Sequence, residues 1–76
     1  MMYWILTKEH ARDTWLLTGW AIGGPGARDE KITPYIEWPT ADEAKLAAFL
    51  RANGNTITTS QPETALWMVA NGLKRG

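Results

Sequence analysis

The chain has one serine and one histidine, Ser60 and His10, from which a nucleophilic site could be built. A serine nucleophile needs a basic side chain beside it and a third group that orients the base. Ser60 occupies a position typical of a helix N-cap, and His10 lies in a charged stretch typical of a solvated loop. There is no cysteine, and the acidic residues show no metal-ligand spacing around the histidine. We therefore expect no catalytic residue, no metal site and no cofactor.

Glycines and paired acids are the next residues that could do chemistry. Glycine-rich loops bind phosphates where a strand leads into a helix N-terminus. After the glycines of residues 23–26 come Asp29 and Glu30 and then a strand-like pattern, so we interpret this segment as a connection between strands. The adjacent acids Asp42 and Glu43 would project about 100° apart at a predicted helix start, where the helix dipole favours them. Acid–base catalysis is not needed to explain them.

Length and composition favour one small folded domain spanning residues 1–76. The apolar share of 45% and the charged share of 21% are typical of a globular chain and differ from those of a disordered one. Eight basic residues balance eight acidic residues, so the chain lacks the positive excess of a typical nucleic-acid binder. Five tryptophans are the unusual feature of the composition.

The amino-terminal residues carry no recognisable targeting signal. Residues 2–6 are apolar, but no basic segment precedes them and no cleavage site of small residues follows them. No apolar run approaches the roughly 18 residues that a membrane span requires. We expect a cytoplasmic protein that does not bind a membrane.

Three segments of the amino-terminal half have the residue pattern of β-strands. Residues 3–7 are aromatic and β-branched, and residues 14–22 form the longest run of this kind. Residues 31–38 alternate between apolar and polar side chains, which predicts a half-buried strand. Because Pro34 cannot donate a ladder hydrogen bond, we expect the third strand at a sheet edge or with a bulge at that position.

The first predicted helix begins at a capping box formed by Thr40 and Glu43. It is expected to cover residues 41–52 and to end at Asn53 and Gly54, since a glycine there favours the left-handed helix stop. Its core-facing stripe is predicted to consist of Leu46, Ala47, Phe49 and Leu50.

The second predicted helix follows a short β-branched strand at residues 56–59. Ser60 and Glu63 match another capping box, and the helix is expected to run to about Asn71. Trp67 is predicted on the flank of the helix. Its core-facing residues are predicted to be Leu66, Val69, Ala70 and Leu73.

These elements predict an α+β domain with the order β-β-β-α-β-α. We expect a three-stranded antiparallel meander, then a helix, a short fourth strand and a carboxy-terminal helix. Packing of both helices on one face of the sheet is the simplest layered solution for this order.

Both faces of the first two predicted strands are apolar. We place Trp38 and Trp20 in the core, where large aromatic side chains anchor small domains. Two helices cover only one face, so the other face requires a second chain or a partner. A register slip of one residue would exchange the two sets of side chains. We take the uncovered set to be Tyr3, Ile5, Trp15, Leu17 and Ala21, with Tyr35 beside it.

A nucleic-acid partner is the main alternative. Strands with aromatic residues, followed by a helix start at residues 40–44, resemble small DNA-binding β-β-β-α domains of mobile elements. The resemblance covers about the middle third of the chain and implies an accessory domain that binds nucleic acid. However, acids are interspersed among the basic residues, and Tyr35 has Glu37 as well as Lys31 beside it. Stacking on nucleic acid needs aromatic residues among uncompensated cations, so we expect no such partner.

The sequence therefore predicts a non-enzymatic domain that acts by protein–protein contact, as a homodimer, with another protein, or both. Small neutral chains of this kind suit phage or mobile-element accessory proteins that inhibit a host complex, such as a defence complex, by covering its surface. A small-molecule sensor is the second alternative after nucleic-acid binding.

Overall fold

The computed structural model describes residues 1–53 and 56–74. No helix in these two ranges is both long enough and apolar enough to cross a membrane. A short 3-10 turn, Thr40–Asp42, precedes the first helix. In chain order the elements are β1 Met2–Glu9, β2 Thr14–Ala21, β3 Glu30–Lys31, β4 Ile36–Pro39, α1 Glu43–Asn53, β5 Thr56–Thr58 and α2 Pro62–Ala70.

The sheet is mixed, which corrects the prediction of a purely antiparallel meander. Its strand order is β3-β2-β1-β5, and β4 also pairs with β2, so β3 and β4 share one edge. The pairs of β2 with β1, β3 and β4 are antiparallel, whereas β5 runs parallel to β1. The parallel pair arises because α1 carries the chain across to the opposite edge, as parallel connections require. The α+β class is confirmed.

The third predicted strand, residues 31–38, is divided into β3 and β4. The backbone N–H groups of Ile32 and Thr33 both donate to the Gly19 carbonyl, at 2.9 and 3.3 Å. The Thr33 hydroxyl in turn accepts the Gly19 N–H at 2.7 Å. The break includes Pro34, which lacks an N–H and lies on the edge of the sheet as expected.

The pairing of β1 with β2 decides which side chains share a face. Leu6 lies opposite Leu17, and Trp4 lies opposite Gly19. A Cβ atom at Gly19 would lie 2.8 Å from Met2 Cε and 3.1 Å from Trp4 Cζ3. The glycine therefore provides the space in which the Trp4 ring packs.

Both helices pack on the face of the sheet that contains Trp4. Phe49 of α1 meets the Trp4 ring edge-on at 5.9 Å, and Trp67 of α2 lies 4.7 Å from the Trp15 ring. The buried core cluster consists of Trp4, Leu6, Trp15, Leu17, Leu46, Leu50, Ile57, Met68 and Leu73, with Trp38 partly buried against it.

Helix α1 buries the predicted stripe, but the predicted capping box does not form. Leu46, Ala47 and Leu50 are buried and Phe49 is half-buried. The Thr40 hydroxyl donates to Asp13 and does not cap the helix. The prediction of a capping box formed by Thr40 and Glu43 is therefore wrong. Helix α1 ends at Asn53. The predicted stop residue Gly54 lies outside the described residues.

Helix α2 is not capped by Ser60, which corrects the second capping box. Its N-cap is Gln61, and no side chain makes a capping hydrogen bond there. The Gln61 amide instead pairs with the backbone of Lys8: Oε1 accepts the Lys8 N–H at 2.7 Å, and Nε2 donates to the Lys8 carbonyl at 3.0 Å. Through these two bonds Gln61 continues the pairing of β1 beyond β5. The Glu63 carboxylate, predicted to complete the capping box, contacts His10 Nε2 at 2.7 Å instead.

The buried face of α2 differs from the predicted one. Leu66 and Val69 are 72% and 73% exposed, while Thr64 and Met68 are fully buried. The Thr64 hydroxyl donates to Gln61 Oε1 at 2.7 Å, so the glutamine that pairs with β1 also turns Thr64 inward. This contact and the burial of Met68 in the core accompany the observed rotation of the helix.

The end of α2 is a Schellman motif that returns Leu73 to the core. Gly72 has a φ of 71°, a left-handed conformation that favours glycine. The Leu73 N–H donates to the Met68 carbonyl at 2.9 Å, and the Gly72 N–H donates to the Val69 carbonyl at 3.2 Å. The predicted burial of Leu73 is confirmed.

We expect Gln61→Ala to lower the free energy of unfolding by about 2 kcal/mol, because it removes the hydrogen bonds to Lys8 and Thr64 in a partly buried setting. Ser60→Ala should change it by less than about 0.5 kcal/mol, as expected for an exposed residue without a capping role. Urea unfolding measures both. Equal losses in the two variants would contradict the assignment of Gln61 as the anchor.

Candidate functional site

The face of the sheet opposite the helices is the candidate site, and we call it the open face. Its position follows from the register, since directly paired residues lie on the same side of a sheet. It consists of Tyr3, Ile5, Thr7 and Glu9 from β1, Thr14, Leu16, Thr18 and Trp20 from β2, Lys31, Glu37 and Pro39 from the shared edge, and Thr56 and Thr58 from β5.

The register corrects the predicted site for residues of β2. Trp15 and Leu17 are 4% and 0% exposed and belong to the core beneath the helices. Ala21 lies opposite Met2, on the same helix-covered face. The structure therefore separates these three residues from Tyr3 and Ile5, which do lie on the open face.

Leu16 and Trp20 are the large apolar residues of the open face that the sequence analysis did not assign to it. Trp20 was predicted in the core, but it lies opposite Tyr3, and Leu16 lies opposite Thr7. The signal that could have found them is Gly19, an isolated glycine in a strand, which often marks a close approach by another group. Placing Trp4 over Gly19 selects the observed register and turns Leu16 and Trp20 outward.

The centre of the open face is an apolar row across the two central strands. The side chains of Tyr3, Ile5, Leu16 and Trp20 are half-buried and retain contact with solvent. Thr18, between the last two, is 2% exposed, and its hydroxyl donates to the Thr33 carbonyl at 3.2 Å. The face therefore presents apolar side chains on the hydrogen-bonded backbone of paired strands.

Tyr35 lies beside this row rather than within a strand. It is 58% exposed, and the Lys31 ammonium group lies 4.6 Å from the centre of its ring. This cation–π contact holds Lys31 over an aromatic surface and restricts where its charge can be placed.

Asp29 lies at one end of the open face, beside Tyr3. Its carboxylate accepts the Gly23 N–H at 2.8 Å and the Tyr3 hydroxyl at 2.7 Å. The hydrogen bond from the Gly23 N–H stabilises the charged carboxylate most, and the bond from the Tyr3 hydroxyl adds to it. Together they hold the pKa of Asp29 below its ordinary value. Donation to Asp29 raises the pKa of Tyr3, because a phenolate could not make the same bond and would be repelled by the carboxylate.

The other end of the sheet is held by Lys8, Asp13 and Thr40. The Lys8 ammonium group contacts the Thr40 hydroxyl, lies 3.4 Å from Asp13 Oδ1, and sits 5.0 Å from the centre of the Trp15 ring. The hydrogen bond from the Thr40 hydroxyl has the largest effect on Asp13, and the bond from the Lys8 ammonium group has the second largest. Both lower the pKa of Asp13. This lysine side chain lies on the helix-covered face and joins the hairpin to the 3-10 turn that precedes α1.

The chemically reactive side chains do not converge on the open face. His10 Nε2 contacts Glu63 Oε1 at 2.7 Å between two exposed side chains, and Ser60 is exposed at the start of α2. Within residues 1–53 and 56–74, no group of three or more histidine, cysteine or acidic residues could hold a metal ion. Arg12 and Glu37 form an ion pair of 2.7 Å at the rim of the open face.

No known protein family, curated protein or solved structure matches this chain.

We expect the phenol of Tyr3 to titrate at a pH above its ordinary pKa. In Asp29→Asn the pKa of Tyr3 should fall, because the substitution removes the carboxylate charge. The chain has two tyrosines, so a Tyr35→Phe background isolates Tyr3 in an ultraviolet absorbance titration. Stability contributed by this bond should be present at neutral pH and lost as the pH rises through the raised pKa of Tyr3. Identical titrations with and without Asp29 would show that the bond is absent in solution.

Proposed function

We propose that this domain works without catalysis, by protein–protein contact through the open face of its sheet. The observation that carries the proposal is the apolar row of Tyr3, Ile5, Leu16 and Trp20, which neither helix covers. Contiguous apolar surface of this kind, with a polar rim, is typical of protein contact sites.

The chemistry of the open face also suits a protein partner. Tyrosine and tryptophan bury large areas at low entropic cost and dominate the energy of many interfaces. Lys31 and Glu37 place both charge signs on the rim. A nucleic acid would favour uncompensated cations there, so this alternative has weaker support.

The remaining parts of the functional prediction concern the biological setting. A role as a phage or mobile-element protein that inhibits a host complex rests on small size, zero net charge and tryptophan content. A role as a small-molecule sensor has no specific residue set to support it. Both stay predictions beside the proposed contact function.

The proposal predicts that Leu16→Glu leaves the domain folded but weakens its protein complexes at least about tenfold. A buried leucine anchor contributes roughly 1.5–3 kcal/mol, and 1.4 kcal/mol corresponds to about a factor of ten in affinity. Leu17→Glu, one residue away, should instead unfold the domain, because Leu17 is 0% exposed. Circular dichroism melts report folding, while sedimentation and affinity capture with the purified chain report complexes.

Leu66→Glu is the matched control, since Leu66 is 72% exposed but lies on α2, away from the open face. It should leave both folding and complexes unchanged. A folded Leu16→Glu chain that forms the same complexes as the wild type would contradict the proposed function.

A further inference from the structure

Two charges of the open face lie at matched positions along one edge of the sheet. Lys31 lies opposite Trp20, and Glu37 lies opposite Leu16. Both belong to the same side of β2, because β1 occupies the other side along the whole strand. The two charges are four residues of β2 apart, or about 13 Å.

Three of the four residues of the apolar row follow the same symmetry, and the fourth, Tyr3, comes to lie against Thr7 of the second copy. Thr18 lies midway between Trp20 and Leu16 on β2, and Ile5 lies opposite Thr18 on β1. Consider a second copy related to the first by a twofold axis at this level, parallel to the sheet and perpendicular to the strands. This axis places each strand over its own counterpart in the second copy, with the strand direction reversed. It places Trp20 of one copy against Leu16 of the second copy, and Ile5 against Ile5.

The same axis places opposite charges against each other. Lys31 of each copy comes to lie opposite Glu37 of the second copy, so one dimer contains two such pairs. Arg12 Nη2 bonds Glu37 Oε1 within the chain at 2.7 Å, which orients the carboxylate. This ion pair uses Oε1, so the second copy's lysine would bind Glu37 through Oε2.

We infer that the occupant of the open face is a second copy of this chain, packed face to face with its strands antiparallel. This inference rests on the proposed function and names the partner. Two sheets pack in this way about 10 Å apart, with strand directions within about 30° of each other. An axis parallel to the strands would place Lys31 against Thr56 and leave Glu37 without a cation, so the charges select the perpendicular axis.

Two charge-reversed variants test this arrangement by sedimentation. The wild type should sediment as a dimer at micromolar concentration. Lys31→Glu sets two carboxylates against each other, and Glu37→Lys sets two ammonium groups against each other, twice per dimer. Each variant alone should dimerise about tenfold more weakly than the wild type. An equimolar mixture of the two variants should regain the wild-type affinity, because opposite charges face each other again.

Lys45→Glu is the control, because Lys45 is an exposed lysine of α1 on the helix side, and its reversal should leave the dimer unchanged. A monomeric wild type, or a mixture no tighter than the single variants, would overturn the inference of a second copy. Leu16→Glu separates this failure from that of the proposed function. If the wild type is monomeric but Leu16→Glu loses a different protein partner, the contact function stands and its occupant is that protein.

Discussion

The register between β1 and β2 is fixed at the loop formed by residues 10–13. Asp13 has a φ of 49°, its N–H donates to the His10 carbonyl at 3.2 Å, and its carbonyl and carboxylate both contact Thr40. Loop length and turn geometry set the register of a hairpin. This loop therefore makes Glu9 the partner of Thr14 and determines every pair along the two strands.

The division between core and open face depends on this register. A shift by one residue would remove Gly19 from beneath Trp4 and exchange the faces of β2, so that Leu17 would leave the core. The helices reinforce the observed choice from the other side of the sheet. Gln61 attaches α2 to the backbone of Lys8, and Phe49 of α1 packs against Trp4. The apolar row of the open face is the set of side chains that this arrangement leaves uncovered.

Local patterns in the sequence predicted the elements better than they predicted the faces. The interruption at Pro34 and the left-handed turn at Gly72 that follows α2 arise from the backbone chemistry of single residues, so the sequence contains the information needed. The faces of β1 and β2 are apolar on both sides, and the register that separates them is decided by a loop. The rotation of α2 depends on a contact between residues 53 positions apart, Lys8 and Gln61, which helical periodicity does not contain.

The assignment of residues to the two faces is therefore the central claim, and nuclear Overhauser contacts across β1 and β2 test it most directly. The structure predicts contacts that place Ile5 opposite Thr18 and Leu6 opposite Leu17. Contacts that place Ile5 opposite Leu17 would contradict it. They would put Leu17 on the open face and remove the basis of both the core and the proposed contact surface.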